Sequence, residues 1–187
     1  MFERMKRAVM LDREFYAQAE SDTSLNQEAL LIVIIVSVAS GIGSLISGII
    51  TGSIGSALLG AILAIVIGVV NYYIWAYVTY YVGTNFFGGD ADPGEMLRVL
   101  GYAHTPRLLG LLSFIPCVGP IISLVALVLS LVAAVIAIRE ALDFDMTKAI
   151  VTAIIGWVII VIITFVVSAI IGVGAGIGAG LLGAMQG

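Results

Sequence analysis

Apolar residues run almost unbroken through five stretches of the chain, at about 29–50, 54–82, 95–115, 118–138 and 149–171. A helix needs roughly 20 such residues to cross the hydrocarbon of a bilayer. Only TGSIG separates the first two runs, so a tight hairpin near residues 51–53 has to divide them. Residues 1–28 differ in kind. Phe2, Met5, Val9 and Phe15 stand among charges at rough helical spacing. That stripe predicts an amphipathic helix, either lying in the membrane interface or packed on the protein's own cytosolic face. Ser24 and Gln27 have capping-box spacing just ahead of the first run. The end, 172–187, is glycine-rich and too short for another crossing. The first apolar run lies too far along to act as a cleavable signal peptide.

The third run carries Arg98, His104 and Arg107 among its aliphatic residues. Asp92, Pro93 and Glu95 have the order of a helix start: an N-cap acid, proline at the first position and an acid at the third. Pro106 then interrupts the hydrogen-bond ladder. Charge placement decides whether this run crosses. With five spans and the N-terminus inside, Arg4, Lys6, Arg7, Arg13, Arg98, Arg107, Arg139 and Lys148 all fall on the cytosolic side. If the third run failed to cross, Arg139 and Lys148 would move outside. The positive-inside rule therefore favours five spans, N-in and C-out. Tyr72, Tyr73, Tyr77, Tyr80 and Tyr81, with Trp75, crowd the cytosolic end of the second run, where aromatic rings favour the interface.

Composition confirms the class. Of 187 residues, 61% are hydrophobic and 11% charged, against about 25% charged in soluble domains. The fold expected is all-α: a polytopic integral membrane protein of the cytoplasmic membrane. It comprises a cytosolic segment 1–28, a five-helix domain 29–171 and a tail 172–187. The net charge of −4 gives no basic cluster for nucleic acid. The single cysteine, Cys117, excludes an intramolecular disulfide.

The stretch GYAHTPRLLGLLSFIPCVGP, residues 101–120, resembles the Gly-Tyr-x-x-x-Pro segment and following hairpin of the Yip domain family, the Ypt-interacting proteins. LDREFYAQAESDTSLNQEALLIVIIVSVASGIGSL and IAIREALDFDMTKAI resemble prokaryotic members. The resemblance covers nearly the whole chain and implies five transmembrane helices with a cytosolic N-terminus. Eukaryotic members bind Rab-type GTPases and act in vesicle transport. This chain lacks their long hydrophilic N-terminal region, and DREFY is no clear copy of their Asp-Leu-Tyr-Gly-Pro motif. The trafficking role therefore does not carry over.

The candidate sites follow. Arg98, Tyr102, His104 and Arg107 could bind a lipid phosphate, an anionic partner or a solute; Arg107 could instead pair with Glu140 or Asp143 and staple the bundle. Arg139, Glu140, Asp143 and Lys148 line a loop on which a cytosolic or membrane protein could dock. Asp143, Asp145 and Thr147 are suited to cap the fifth helix. Asn71 is a candidate intramembrane hydrogen-bonding group. Gly48, Gly52 and Gly60, and again Gly172, Gly176 and Gly180, recur at spacings that let helices approach closely, within the chain or between copies of it. No cofactor, metal set or catalytic constellation is expected: one histidine and one cysteine cannot supply one. The leading expectation is a non-enzymatic scaffold, adaptor or membrane-organising protein acting through its cytosolic face. The alternative is a small transporter, channel or lipid-handling protein with a polar notch around Arg107.

Overall fold

The computed structural model describes the backbone of residues 1–50, 52, 54–114 and 118–184, and the side chains of these except at 44, 47, 54, 56, 113, 114, 168 and 170–184. No strand occurs among the described residues. The helices are α1 (Phe2–Val9), α2 (Arg13–Ser21), α3 (Asn26–Ile50), α4 (Ile54–Phe87), α5 (Pro93–Ala103), α6 (Gly119–Ala141) and α7 (Met146–Ala184). Two 3-10 segments, Thr23–Leu25 and Thr105–Phe114, precede α3 and follow α5.

Four of the helical stretches are long and apolar enough to cross a membrane: Thr23–Ile50, Ala57–Phe87, Gly119–Ala141 and Met146–Val167. The third apolar run of the sequence is wound differently, as α5 and then the 3-10 segment. Its start is as expected. Asp92 accepts from the amides of Gly94 and Glu95, and Glu95 reaches back to the Asp92 amide, closing a capping box with Pro93 in the first turn. Its break has a local cause. In an α-helix the carbonyl of Tyr102 would accept from the amide of residue 106, and proline has none. Thr105 Oγ1 donates to that carbonyl instead, at 2.7 Å. The amide of His104 turns to Gly101, and the His104 ring Nδ1 donates to the carbonyl of Leu100 thus released, at 2.8 Å. Two side chains replace two ladder bonds, and the chain continues in the tighter winding.

The N-terminal stripe forms two helices rather than one. They break at Leu11, whose φ is +60°, and Asp12 caps α2 through the amide of Phe15. Ser24 caps no helix through Gln27. Asp22 does the local work, accepting from the Ser24 amide and hydroxyl. Gly52, with φ +73°, turns the hairpin between α3 and α4 where the sequence required one; positions 51 and 53 lie outside the described residues, as does Cys117. Asp145 accepts from the amide of Thr147 at the start of α7. That helix then runs through the glycine-rich stretch as far as Ala184.

α3 and α4 are antiparallel, and their close approach is set by small residues. A Cβ on Gly41 would stand 3.1 Å from the Ala61 carbonyl, and one on Gly68 would collide with Ser37. Gly48 is buried. Gly60, expected at the same seam, is only partly buried, and an added Cβ there would meet nothing within 4 Å. Gly52 serves the turn rather than packing. The side chains of Gly172, Gly176 and Gly180 positions lie outside the described set.

The best-packed core is not midway along the spans. It lies at one end, where α1, α2 and α5 meet the start of α3, the second half of α4, the end of α6 and the start of α7. Phe15, Tyr16, Met96, Leu100, Tyr102, Ile138 and Leu142 are all buried there. Every charged residue of the chain except Arg107 belongs to the segments that build this end. Away from it, α4 and α7 present broad exposed apolar faces, among them Leu59, Leu63, Val66, Val161 and Phe165. That is the division a membrane protein needs: side chains facing lipid below, a polar head above.

Candidate functional site

Two clusters grow from the third run, one above the other. The upper one fastens the N-terminal helices to the head. Arg98 is 3% exposed. Its Nε donates to the carbonyls of Ala19 and Glu20, each at 3.0 Å, its Nη1 to Asn26 Oδ1 at 3.0 Å, and its Nη2 to the Glu20 carbonyl as well. The carbonyls at the end of α2 are orphans of the helix, carrying partial negative charge that a guanidinium complements. Glu28, in the first turn of α3, accepts from Arg4 Nε at 2.9 Å and Nη2 at 2.5 Å and from the Tyr102 hydroxyl at 2.7 Å, with the N-terminal ammonium 3.6 Å away. Tyr102 also meets Phe15 edge-on, ring centroids 4.8 Å apart. Gly101 beside it lets α5 lie on the backbone of α3: a Cβ would come within 3.0 Å of the Ala29 carbonyl. The Gly-Tyr pair thus has a physical reason in each member.

Around this clamp the head is closed by further charges. Arg13 reaches Glu140 at 3.0 Å, tying α2 to α6, and Arg139 lies 3.8 Å from the same carboxylate. Arg139 Nε donates to the Phe144 carbonyl at 3.3 Å. Lys148 donates to the Phe87 carbonyl at 3.2 Å and stands over the Phe144 ring. Asp143 is exposed with φ +52°. Burial first, and then the carboxylates of Asp143, Glu95 and Glu140, push Glu20 up to about 7, against the opposing pull of Arg98.

The lower cluster is a notch. Gly68, Asn71 and Trp75 of α4, His104 and Arg107 after α5, and Trp157 and Ile160 of α7 line a cavity of about 140 Å³. His104 is buried, its ring edge-on to Tyr72 and Trp75 at 5.7 and 5.8 Å. Trp75 is buried and its Nε1–H has no hydrogen-bond partner. Arg107 opens on the bundle's outer surface beside Trp157. No described residue forms a hydrogen bond or ion pair with the Arg107 or Asn71 side chain. The expected staple from Arg107 to Glu140 or Asp143 is therefore not made: Glu140 is engaged by Arg13 and Arg139 in the head. An arginine at the centre of a membrane helix costs about 2.5–3.5 kcal/mol on insertion scales, so an unpaired one calls for a counter-charge or a short path to water.

Comparison with known proteins comes down to a single finding. The model of the Yip1 domain family matches residues 8–183. The chain belongs to the Yip1 domain family. No curated protein and no solved structure matches it. The Yip1 match spans the notch and all of the clamp except Arg4 and the N-terminal ammonium.

The four residues grouped from the sequence thus separate. Arg98 and Tyr102 build the clamp, while His104 and Arg107 turn to the notch and are joined there by Asn71. Sequence reasoning did not single out Glu28 and Asn26 of the clamp or Trp157 of the notch. Glu28 stands one residue before an apolar run, a position that marks it as an acid at the interface. Trp75 was read as an interfacial ring; its indole N–H carries no sequence signal. Among the described residues no group of three or more His, Cys, Asp or Glu could hold a metal ion.

Proposed function

We propose that this Yip1-domain protein is a non-enzymatic scaffold or adaptor of the cytoplasmic membrane, with its charged head in the cytoplasm and its C-terminus outside. The observation that carries this reading is the docking of α1 and α2. They are held on the bundle by buried hydrogen bonds from Arg98 and by the Glu28 ion pairs. The head therefore displays a preorganised surface rather than a loose tail, and preorganisation lowers the entropy that a partner must offset on binding. Arg13, Glu14, Asp143, Asp145 and Lys148 are exposed on it. A conduit is less well supported. Beyond the notch, α3, α4, α6 and α7 offer only serine and threonine hydroxyls to a polar solute.

The test is a photo-crosslinking residue at Asp143 or Glu14 of the full chain in its native membrane, with Leu59 as a lipid-facing control. Discrete protein adducts from the two head positions and none from Leu59 support the scaffold. Adducts at neither head position would sink it. Orientation is checked in the same membranes by thiol labelling of Asp145→Cys in a Cys117→Ser background. The head-in reading requires labelling only after the vesicles are opened.

A further inference from the structure

The notch around Arg107 has the chemistry of an anion site and the depth of a headgroup. Its chemistry comes from what each wall offers. Arg107 presents a planar fork of donors that matches a phosphate and cannot lose its charge. The Trp75 ring, 8% exposed, closes one wall, with its Nε1 enclosed against α7 beside Gly156. The Asn71 amide adds two donors. Among the described residues no carboxylate lines the cavity. His104 commits Nδ1–H to the Leu100 carbonyl, so in the neutral ring Nε2 is an acceptor, suited to a hydroxyl on the bound group. A second copy of the chain has no Asp or Glu to offer at this depth, since all of them lie in the segments of the head. At about 30 Å³ per water, the 140 Å³ cavity has room for a phosphate-sized group.

Depth selects the source. Gly101 lies on Ala29, one residue from the Glu28 ion pairs that mark the water side. Arg107 is six residues further along. On the α4 side, Gly68 lies on Ser37, which sets Asn71 near the level of residue 34, again six residues below Glu28. Along α3, six residues at ~1.5 Å each make about 9 Å; the third run, wound as a 3-10 segment from Thr105, descends slightly further. The headgroup layer on one side of a bilayer is about 5–7 Å thick. The notch thus opens sideways to lipid at the inner edge of the headgroup layer, a depth from which a long arginine side chain reaches back to the phosphates. A free phosphate ion shares the chemistry but would have to leave water to reach it.

We infer that Asn71, Trp75, His104 and Arg107 form a binding site for the phosphate of a membrane lipid headgroup. The molecule supplies its own reporter, because its two tryptophans, Trp75 and Trp157, both line the notch. Full-length protein in neutral detergent micelles is titrated with dioleoylphosphatidylglycerol, with dioleoylglycerol, and with glycerol phosphate lacking acyl chains, while tryptophan emission is followed. The site predicts a saturable change with phosphatidylglycerol only. Arg107→Ala weakens it by about tenfold or more, Arg107→Lys by less, and Asn71→Ala measurably. Unchanged thermal unfolding of the Arg107 variants shows that the fold survives, and Asn71→Ala gives an independent test if it does not. An equal response to dioleoylglycerol, or undiminished phosphatidylglycerol binding in both Arg107→Ala and Asn71→Ala, overturns the site. Equal binding of glycerol phosphate overturns the lipid assignment and makes the ligand a soluble phosphate.

Discussion

In the head, Arg98, Glu28 and Tyr102 each bond to elements far away in sequence. At the membrane level, the described contact between α3 and α4 rests on Gly41 against Ala61 and Gly68 against Ser37. The contrast follows from solvent. Around the head water drives apolar burial, so Phe15, Tyr16 and Leu100 can form an ordinary core. Among lipid tails burial gains little, and helices associate through close approach of small residues. One chain therefore carries two packing regimes, and the third run is the seam between them. Above Ala103 it is an α-helix clamped into the head; below it, a 3-10 segment beside the notch.

The largest way to break this contrast is Arg98→Ala. It leaves the carbonyls of Ala19 and Glu20 without their donors, and hydrogen bonds to a charged group are worth about 1.5–3 kcal/mol each. We expect a loss of about 3 kcal/mol or more in head stability, seen as early proteolytic cleavage before Asn26 with the spans still intact. Next is Gly101→Ala, whose methyl would press on the α3 backbone at Ala29. Overpacking of this kind costs about 1–3 kcal/mol, read as a lower Tm in detergent.

A pH series sharpens the comparison, because every side-chain carboxylate belongs to the head. Glu20 is pushed up to about 7 from an ordinary value of 4.5. A raised carboxyl favours the folded head below pH 4.5, and that contribution is lost as pH rises towards and through 7. Glu20→Gln should therefore raise Tm at pH 8 relative to wild type and do little at pH 4.5. With solvent screening the gain is on the order of 1 kcal/mol. No pH-dependent difference between the two proteins would remove Glu20 from the account. The smallest effect is expected from Gly60→Ala. Nothing stands within 4 Å of the new methyl, so the exchange should stabilise the helix by about 0.5–1 kcal/mol. A marked loss would place Gly60 in a contact between copies of the chain.

What the sequence revealed and concealed divides along physical lines. The hairpin at Gly52, the Asp92–Glu95 cap and the segregation of charge are local or compositional, and each could be read from adjacent residues. The Gly-Tyr-x-x-x-Pro segment led to the family. The meeting of Asn71, His104 and Arg107 was legible only as a list of polar residues out of place; which of them face one another depends on the register of α4 against the third run. The break at Leu11 left no signal, since leucine rarely adopts positive φ. Pro106 announced an interruption, but not that Thr105 and His104 would take over the freed carbonyls. Gly60 matched the small-residue spacing and yet faces outward, because spacing fixes a helix face without saying what lies against it.

The most direct test of the two-regime account is hydrogen exchange of the full chain in lipid nanodiscs, followed peptide by peptide. The account predicts that Arg13–Ser21 is protected to the same degree as Pro93–Ala103, and that Arg98→Ala releases α1 and α2 while α3 and α4 below the notch keep their protection. Exchange of Arg13–Ser21 at the rate of a free peptide in the wild-type protein would contradict it.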